Sequence, residues 1–485
     1  MCGRILIQSR IKQVADRQVI HAVCIVNDEL PRLKVNRSRR SGFNMKQKQN
    51  GWCLVVILFT GLACCGVAAD DWTQWRGNHR DGTWNETGLV EKFDEGSLPV
   101  VWRQPLGSGY SGPTVANGRV YVMDRQTEPA QTERVLCFDE KTGKSIWTYE
   151  YPATYTNVGY VAGPRASVTI DGGLVYSLGT MGHLACLDAA TGNLKWEIDL
   201  NETYSIVASK RMPIWGIAAS PLIYGDQVIV QVGGDDGASI VSFDKMTGKE
   251  RWRSLEDRGQ YSSPVLAKQN GKDILICWTG DSVAGLNPLD GSVYWRHEFT
   301  PSRMPIGVAT PIVRDNKIFV TSFYDGALML EMQPDSMSVK ELWKAMGPNE
   351  RQTKGLHSII STPVWIGNYL YGVDSYGELR CLDVNTGKRI WESQEAVPKS
   401  RWSTIHFVQN GKHTWMFNER GELILAKLSP TGFKEISRAK LIEPTTDQLR
   451  QRNGVCWSHP AFANRCVFLR NDEEIVCVNL AADAK

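Results

Sequence analysis

One short pattern, written five times, constrains this chain more than anything else in it. Asp139 is followed by Thr142-Gly143 and Trp147, Asp188 by Thr191-Gly192 and Trp196, Asp244 by Thr247-Gly248 and Trp252, Asn287 by Asp290-Gly291 and Trp295, and Asp383 by Thr386-Gly387 and Trp391. In every copy the tryptophan lies eight residues beyond the Asp or Asn, and consecutive copies are 43 to 56 residues apart where none is skipped. A period of that size belongs to units that repeat along a solenoid or around a propeller. Asp and Asn turn back onto their own backbone, and Gly supplies a positive φ, so each copy predicts a tight hairpin. The tryptophan on the strand that follows has enough surface to wedge against the neighbouring unit, and an indole N–H that needs an acceptor.

Two more strands precede each hairpin. In the third copy they are the stretch opening at Ala-Ser-Pro221 and the alternating run that ends at Val232. Comparable openings stand at Pro113, Pro264, Pro311 and Pro363, where proline suits the first residue of a strand. Four short strands per repeat make a propeller blade. Two blades are degenerate. The fifth runs from Thr310 to Trp343 with an irregular turn, and the seventh from Trp402 to about Leu441, with Ile436 read at the tryptophan position. The last repeat, Trp457 to Leu480, has three strands, and Val100 to Leu106 is a tryptophan-bearing strand without a blade of its own. Joining the two closes the ring and removes a free sheet edge. The fold class is therefore all-β: an eight-bladed propeller of four-stranded antiparallel blades, the last closed by an N-terminal strand.

Outside residues 100–480 the chain divides further. Residues 51–68 form an apolar run preceded by Lys46 and Lys48, and Val67-Ala68-Ala69 has the small residues of a cleavage site. This is the layout of a secretory signal over 45–69, beginning at Met45, with residues 1–44 an over-extended start or unstructured leader. Export to the periplasm or beyond the cell follows. A lipoprotein anchor at Cys64 is the weaker alternative, because Gly61 occupies the position where such signals carry leucine. The net charge of +3 is misleading. Residues 1–69 hold eleven of the 55 basic residues and three of the 52 acidic ones, which leaves the exported chain negative by about five. That disfavours nucleic acid as a partner. Seven of the twelve cysteines follow residue 69. Cys137, Cys186, Cys381 and Cys477 repeat one blade position and read as small buried apolar residues, and Cys456 with Cys466 is the pair a hairpin could join.

The pattern Asp-x-x-Thr-Gly-x-x-x-Trp resembles the tryptophan-docking motif of the pyrroloquinoline-quinone-like (PQQ-like) repeat family. That family joins quinoprotein alcohol dehydrogenases to non-enzymatic propellers such as the outer-membrane assembly lipoprotein BamB. The resemblance covers residues 100–480 and implies the fold; the motif itself is structural in both branches. Residues 70–99, with Trp72, Trp75, Arg76 and Asp81, are similar to a leader that precedes many bacterial propellers of this kind, and a clasp across the ring is expected of them.

The expected site is the funnel at the ring axis. Arg165, Arg211, Arg258, Arg303, Lys354, Arg401 and Arg452 all stand in the loops that feed inner strands, with Tyr110, Trp215, Tyr261, Trp402 and Trp457 beside them and His357, His406 and His459 nearby. Guanidinium groups bind carboxylates and phosphates bidentately. Arg165, Arg211, Trp215, Arg258, Arg303, Lys354, Arg401, Trp402 and Trp457 are thus the candidate lining of an axial anionic site. No catalytic residue and no metal ligand is assigned. The Gly233 to Gly237 stretch looks calcium-like but falls where a hairpin turn is needed. The mature chain lacks both a vicinal cysteine pair and the Cys-x-x-Cys-His haem motif. The function expected is a binding or scaffold propeller for a protein or peptide at the rim, or for a small anionic or polyanionic ligand, acting as a monomer with no membrane span after signal cleavage. The alternative that the resemblance implies is a dehydrogenase of an alcohol, sugar or polyol, using pyrroloquinoline quinone with calcium; otherwise no cofactor is assigned.

Overall fold

The computed structural model describes residues 70–93 and 98–483. The readings placed on residues 1–69, including the export signal over 45–69 and the Met45 start, lie outside the described residues. Among the described residues thirty-two strands form eight four-stranded antiparallel sheets. Blade one holds strands Thr114–Ala116, Arg119–Gln126, Thr132–Asp139 and Ser145–Pro152. Blades two to seven follow in chain order over 169–199, 222–254, 265–298, 312–345, 364–393 and 405–440. Blade eight takes Ala461–Ala463, Cys466–Arg470 and Glu474–Asn479, and its fourth strand is Val100–Pro105 from the other end of the chain. Trp102 pairs with Cys477 across that closure. Among the described residues no helix is long and apolar enough to cross a membrane.

The repeated motif does the structural work its residue types predict. Asp139 Oδ1 accepts hydrogen bonds from the backbone N–H and the hydroxyl of Thr142 at 2.9 and 2.7 Å, and Gly143 takes φ 69°. Asp188, Asp244 and Asp383 repeat the arrangement. Each turn receives the tryptophan of the preceding blade: Trp102 Nε1 donates to Glu140 O at 2.7 Å, Trp147 to Ala189 O at 3.1 Å and Trp343 to Val384 O at 2.8 Å. The indole lies flat on the turn glycine, where a Cβ at Gly143 would come within 2.6 Å of Trp102. The motif cysteines Cys137, Cys186, Cys381 and Cys477 are buried. All seven described cysteines are free thiols, so the expected Cys456–Cys466 pairing is absent; Cys456 Sγ donates instead to Glu443 O at 3.5 Å.

The degenerate blades have local compensations. Blade five lacks the Asp-Gly turn, and Gln269 of blade four covers its irregular chain by donating to Ser336 O and Ser338 O, while accepting from Trp295 Nε1 at 2.9 Å. In blade seven the docking position is Ser437 rather than Ile436. The bulge that pairs Cys137 with Trp147 in blade one pairs Leu425 with Ser437 here, and Ile436 is the residue the bulge skips. Blade eight has no hairpin for a tryptophan to rest on, because its third and fourth strands come from opposite chain ends. Phe93 fills the neighbourhood instead, its N–H donating to Ser437 Oγ at 3.2 Å and its ring stacked on Trp415.

The inner strands are laced together by the small hydroxyl residues before each proline. Ser167 N–H donates to Ser220 Oγ, Ser220 N–H to Ser263 Oγ, and Thr310 N–H to Thr362 Oγ1, each from one blade to the next. Residues 70–84 cross the ring at the end where first and second strands turn. Trp72 and Val115 of blade one exchange backbone hydrogen bonds at 2.9 Å, Thr73 accepts from Ile170 of blade two, and Trp84 donates to Gln409 of blade seven. Arg80 is buried and donates to Ser220 O and Pro221 O of blade three and to Pro264 O of blade four.

Candidate functional site

All eight blades feed one cavity of about 120 Å³ on the axis. Its wall comes from the segments that enter the innermost strands: Tyr110, Tyr160, Trp215, Tyr261, Trp402 and Trp457, with Ala218, Val308, Ile359 and Ile360 between them. These segments lie at the end of the ring opposite residues 70–84, so the cavity opens at the blade connections. At its other end stand Trp75, His406 and His459. Arg165 is the one cation of the lining, and no carboxylate contributes.

The floor is fixed by hydrogen bonds and stacking. Trp75 Nε1 donates to Thr310 Oγ1 at 2.8 Å, and its ring lies 5.0 Å from that of His459. His406 and His459 are 4.9 Å apart, centroid to centroid. Burial pushes the His406 imidazole down to about 4, and nearby Arg76 adds to the effect. His459 is held well below the ordinary histidine range by burial, by His406 and by Arg76. Both rings are therefore neutral at neutral pH. His406 Nε2 faces Trp457 O at 2.9 Å and His459 Nδ1 faces Pro460 O at 2.5 Å. A carbonyl only accepts, so those nitrogens carry the protons and the opposite nitrogens keep their lone pairs. Below the floor, burial lowers Arg76 to about 10 and Arg80 to about 9.

At the mouth, four rings meet. The Tyr160 ring lies 5.6 Å from Trp215, 5.7 Å from Trp402 and 6.1 Å from Trp457, at angles of 88°, 68° and 53°. Tyr160 and Trp402 both hold left-handed backbone, φ 56° and φ 69°, which bulky residues adopt only under constraint. Trp457 Nε1 donates to Glu419 Oε2 at 3.1 Å, and Arg452 pairs with Glu419 Oε1 at 2.9 Å. Burial raises the Glu419 carboxyl despite that cation.

Of the nine residues expected to line an axial anionic site, Arg165, Trp215, Trp402 and Trp457 stand in the cavity wall. The Arg165 guanidinium is engaged with its own loop, donating to Gly159 O, Tyr160 O and Gly163 O. Arg401 lies one layer out, 4.5 Å above the Trp402 ring. Arg211 turns away to Gly233 O, Glu256 O and Asp257 O, Arg258 pairs with Asp281 at 2.6 Å, and Arg303 lies over Tyr324. Lys354 borders a separate shallow depression with Lys344, Lys388 and Arg389. Tyr160 and Trp75 were not among the expected site residues. The signal available for Trp75 was a second tryptophan close behind Trp72; for Tyr160, a lone aromatic in a glycine-rich connection, there was none.

A flat tricarboxylate held with calcium would need cations free to meet it and oxygen ligands for the metal. The cavity offers aromatic faces, but its single guanidinium is already engaged with loop carbonyls, and among the described residues no group of three or more His, Cys, Asp or Glu is placed to hold a metal ion. These residues do not fit pyrroloquinoline quinone with calcium.

Comparison with known proteins finds likeness to two kinds of protein. The family model described as "Outer membrane protein assembly factor BamB" matches residues 86–158 and 131–393. The chain is 24% identical over 223 residues to outer membrane protein assembly factor BamB of Yersinia pestis, an alignment covering 45% of this chain and 54% of that protein. It is 25% identical over 238 residues to the dehydrogenase subunit of alcohol dehydrogenase (quinone) from Gluconacetobacter polyoxogenes, covering 46% of this chain and 31% of that one. The chain thus spans about half or less of these curated relatives. The crystal structure of BamB from Moraxella catarrhalis superposes with a TM-score of 0.53 at 16% identity, over 80% of this chain and 99% of that one, a likeness of fold.

Proposed function

The chain belongs to the PQQ-like repeat propeller family whose model is described as outer membrane protein assembly factor BamB, and from that membership we propose that it is a binding propeller which holds a protein or peptide at the mouth of its axis. The observation that carries this reading is the one-ended aromatic cavity: six aromatic side chains wall it, no carboxylate lines it, and residues 70–84 clasp the ring behind it. Concave aromatic sites with few polar groups suit the insertion of a side chain from a partner, since aromatic rings bury much area at small cost in rotamer entropy. The place of work is outside the cytoplasm, reached through the signal at 45–69, with lipid anchoring at Cys64 the lesser alternative. A protein or peptide is preferred over a small anion because the cations expected to face the axis are engaged elsewhere, Arg211 with loop carbonyls and Arg258 with Asp281.

Selection of a random peptide library on the exported chain tests this reading. Peptides should be recovered that bind the wild type and lose at least about tenfold in affinity on Trp402→Ala/Trp457→Ala, a loss expected for truncating central aromatic anchors. Titration with pyrroloquinoline quinone and calcium, followed by calorimetry and dye-linked alcohol oxidation, covers the dehydrogenase alternative, which the likeness to quinone alcohol dehydrogenases keeps in view. The binding reading expects no saturation and no turnover there. Stoichiometric quinone with alcohol-dependent dye reduction would replace it.

A further inference from the structure

The three tryptophans at the mouth share one neighbour. Trp215 precedes blade three, Trp402 blade seven and Trp457 blade eight, and the ring they enclose is Tyr160, carried by the connection between blades one and two. From this geometry we infer that Trp215, Trp402 and Trp457 form a socket for an aromatic side chain of a partner polypeptide, and that Tyr160 is its internal occupant, which the partner's ring displaces. The inference rests on the binding reading above and names the chemistry of what is bound.

Four features support it. The Tyr160 side chain is held by apolar packing, against the three indoles and the Leu449 and Val455 cluster, and its hydroxyl takes part in no hydrogen bond to a described residue. Its backbone is left-handed, a conformation that a tyrosine adopts at a cost and that the loop must impose. The loop does impose it, because Gly159 N–H donates to Ile214 O at 2.7 Å and Arg165 donates to Gly159 O and Tyr160 O. With the backbone so fixed, rotation about the Tyr160 side-chain bonds is enough to empty the socket. Finally, the Trp402 indole N–H is buried beside the cavity without an acceptor. A phenol oxygen or peptide carbonyl entering with the ring would supply one. Edge-to-face packing at 5.6 and 5.7 Å, on Trp215 and Trp402, is a geometry in which aromatic pairs attract, so what holds Tyr160 would hold an incoming ring equally well. The affinity of an outside ring is then reduced by the fraction of time the socket is filled from within.

The test uses N-acetyl-tyrosinamide as probe and N-acetyl-leucinamide as its apolar control, with saturation-transfer NMR and calorimetry on the exported chain. Tyr160→Gly removes the occupant and relieves the left-handed strain, so it should fold. It should bind the aromatic probe about tenfold or more tightly than the wild type, with no such gain for the leucine probe. Tyr160→Phe should behave as wild type, and Tyr160→Gly/Trp402→Ala should lose the gain. An unchanged affinity in Tyr160→Gly, or an equal gain for the leucine probe, would overturn the socket. Its failure is separable from that of the binding reading: library peptides sensitive to Trp402→Ala/Trp457→Ala would still stand if Tyr160→Gly gained nothing.

Discussion

At the scale of single residues, the chemistry of the axis is set by burial. His406 is neutral because a charged imidazole would lie buried, beside Trp75 and His459 and near the Arg76 guanidinium. Its folded value is depressed from 6.5 to about 4, so between those limits the unfolded chain binds a proton that the folded chain refuses. Stability is therefore full above about pH 6.5 and falls as the pH drops towards 4, by about 3 kcal/mol for this group. Urea denaturation of His406→Gln between pH 7 and 4.5 should show a shallower fall than the wild type. A second expectation concerns the docking glycines. Gly192→Ala forces a side chain into left-handed backbone at φ 74° and puts a Cβ 2.6 Å from the Trp147 ring, and a loss of about 1–3 kcal/mol should be read in its denaturation midpoint. These roles of Asp, Thr, Gly and Trp were legible in the sequence because each is local to one hairpin. The arginines were not. A position shortly before an inner strand does not say whether a guanidinium faces the axis or folds back, as Arg211 does onto Gly233 O and Glu256 O.

At the scale of elements, two pieces of chain from the N-terminal side complete the ring. Val100–Pro105 supplies the fourth strand of blade eight, and residues 70–84 tie several blades together at the turn end. Deleting residues 100–106 strips Trp102 from its contact with the Glu140 turn and bares the Glu474–Asn479 edge, so the variant should unfold or aggregate, seen as loss of the cooperative thermal transition. Arg80→Met leaves the carbonyls of Ser220 and Pro264 without their side-chain donor, while Pro221 O keeps the Thr169 hydroxyl, and should cost about 1–3 kcal/mol, with faster proteolysis confined to residues 70–84. The strand that closes the ring was readable as a surplus of one at the front and a deficit of one at the back. The docking position of blade seven was read one residue early, at Ile436, because its third and fourth strands pair further out before turning, as far as Ser429 with Gly432, and the bulge skips Ile436 so that the position falls at Ser437. The partnership of Phe93 with Ser437 and Trp415 joins positions more than three hundred residues apart in sequence, which no local pattern encodes.

At the scale of the whole molecule, eight similar blades produce a surface with two unlike ends. The turn end carries the repeated hairpins and is crossed by residues 70–84, whereas the connection end gathers unlike loops around the Trp215, Trp402 and Trp457 rings. The repeat made the ring legible; the site was only partly so, since it is assembled from one or two side chains per blade and Tyr160 reaches it from a connection with no recurring residue. The claim that the connection end is the working surface can be put to one measurement, hydrogen–deuterium exchange with and without a library-selected peptide. The account predicts slowed exchange confined to residues 157–161, 213–217, 400–404 and 452–458, with the outer strands unchanged. Protection along outer strands such as Ser145–Pro152, or over residues 70–84, with the mouth unaltered, would contradict it.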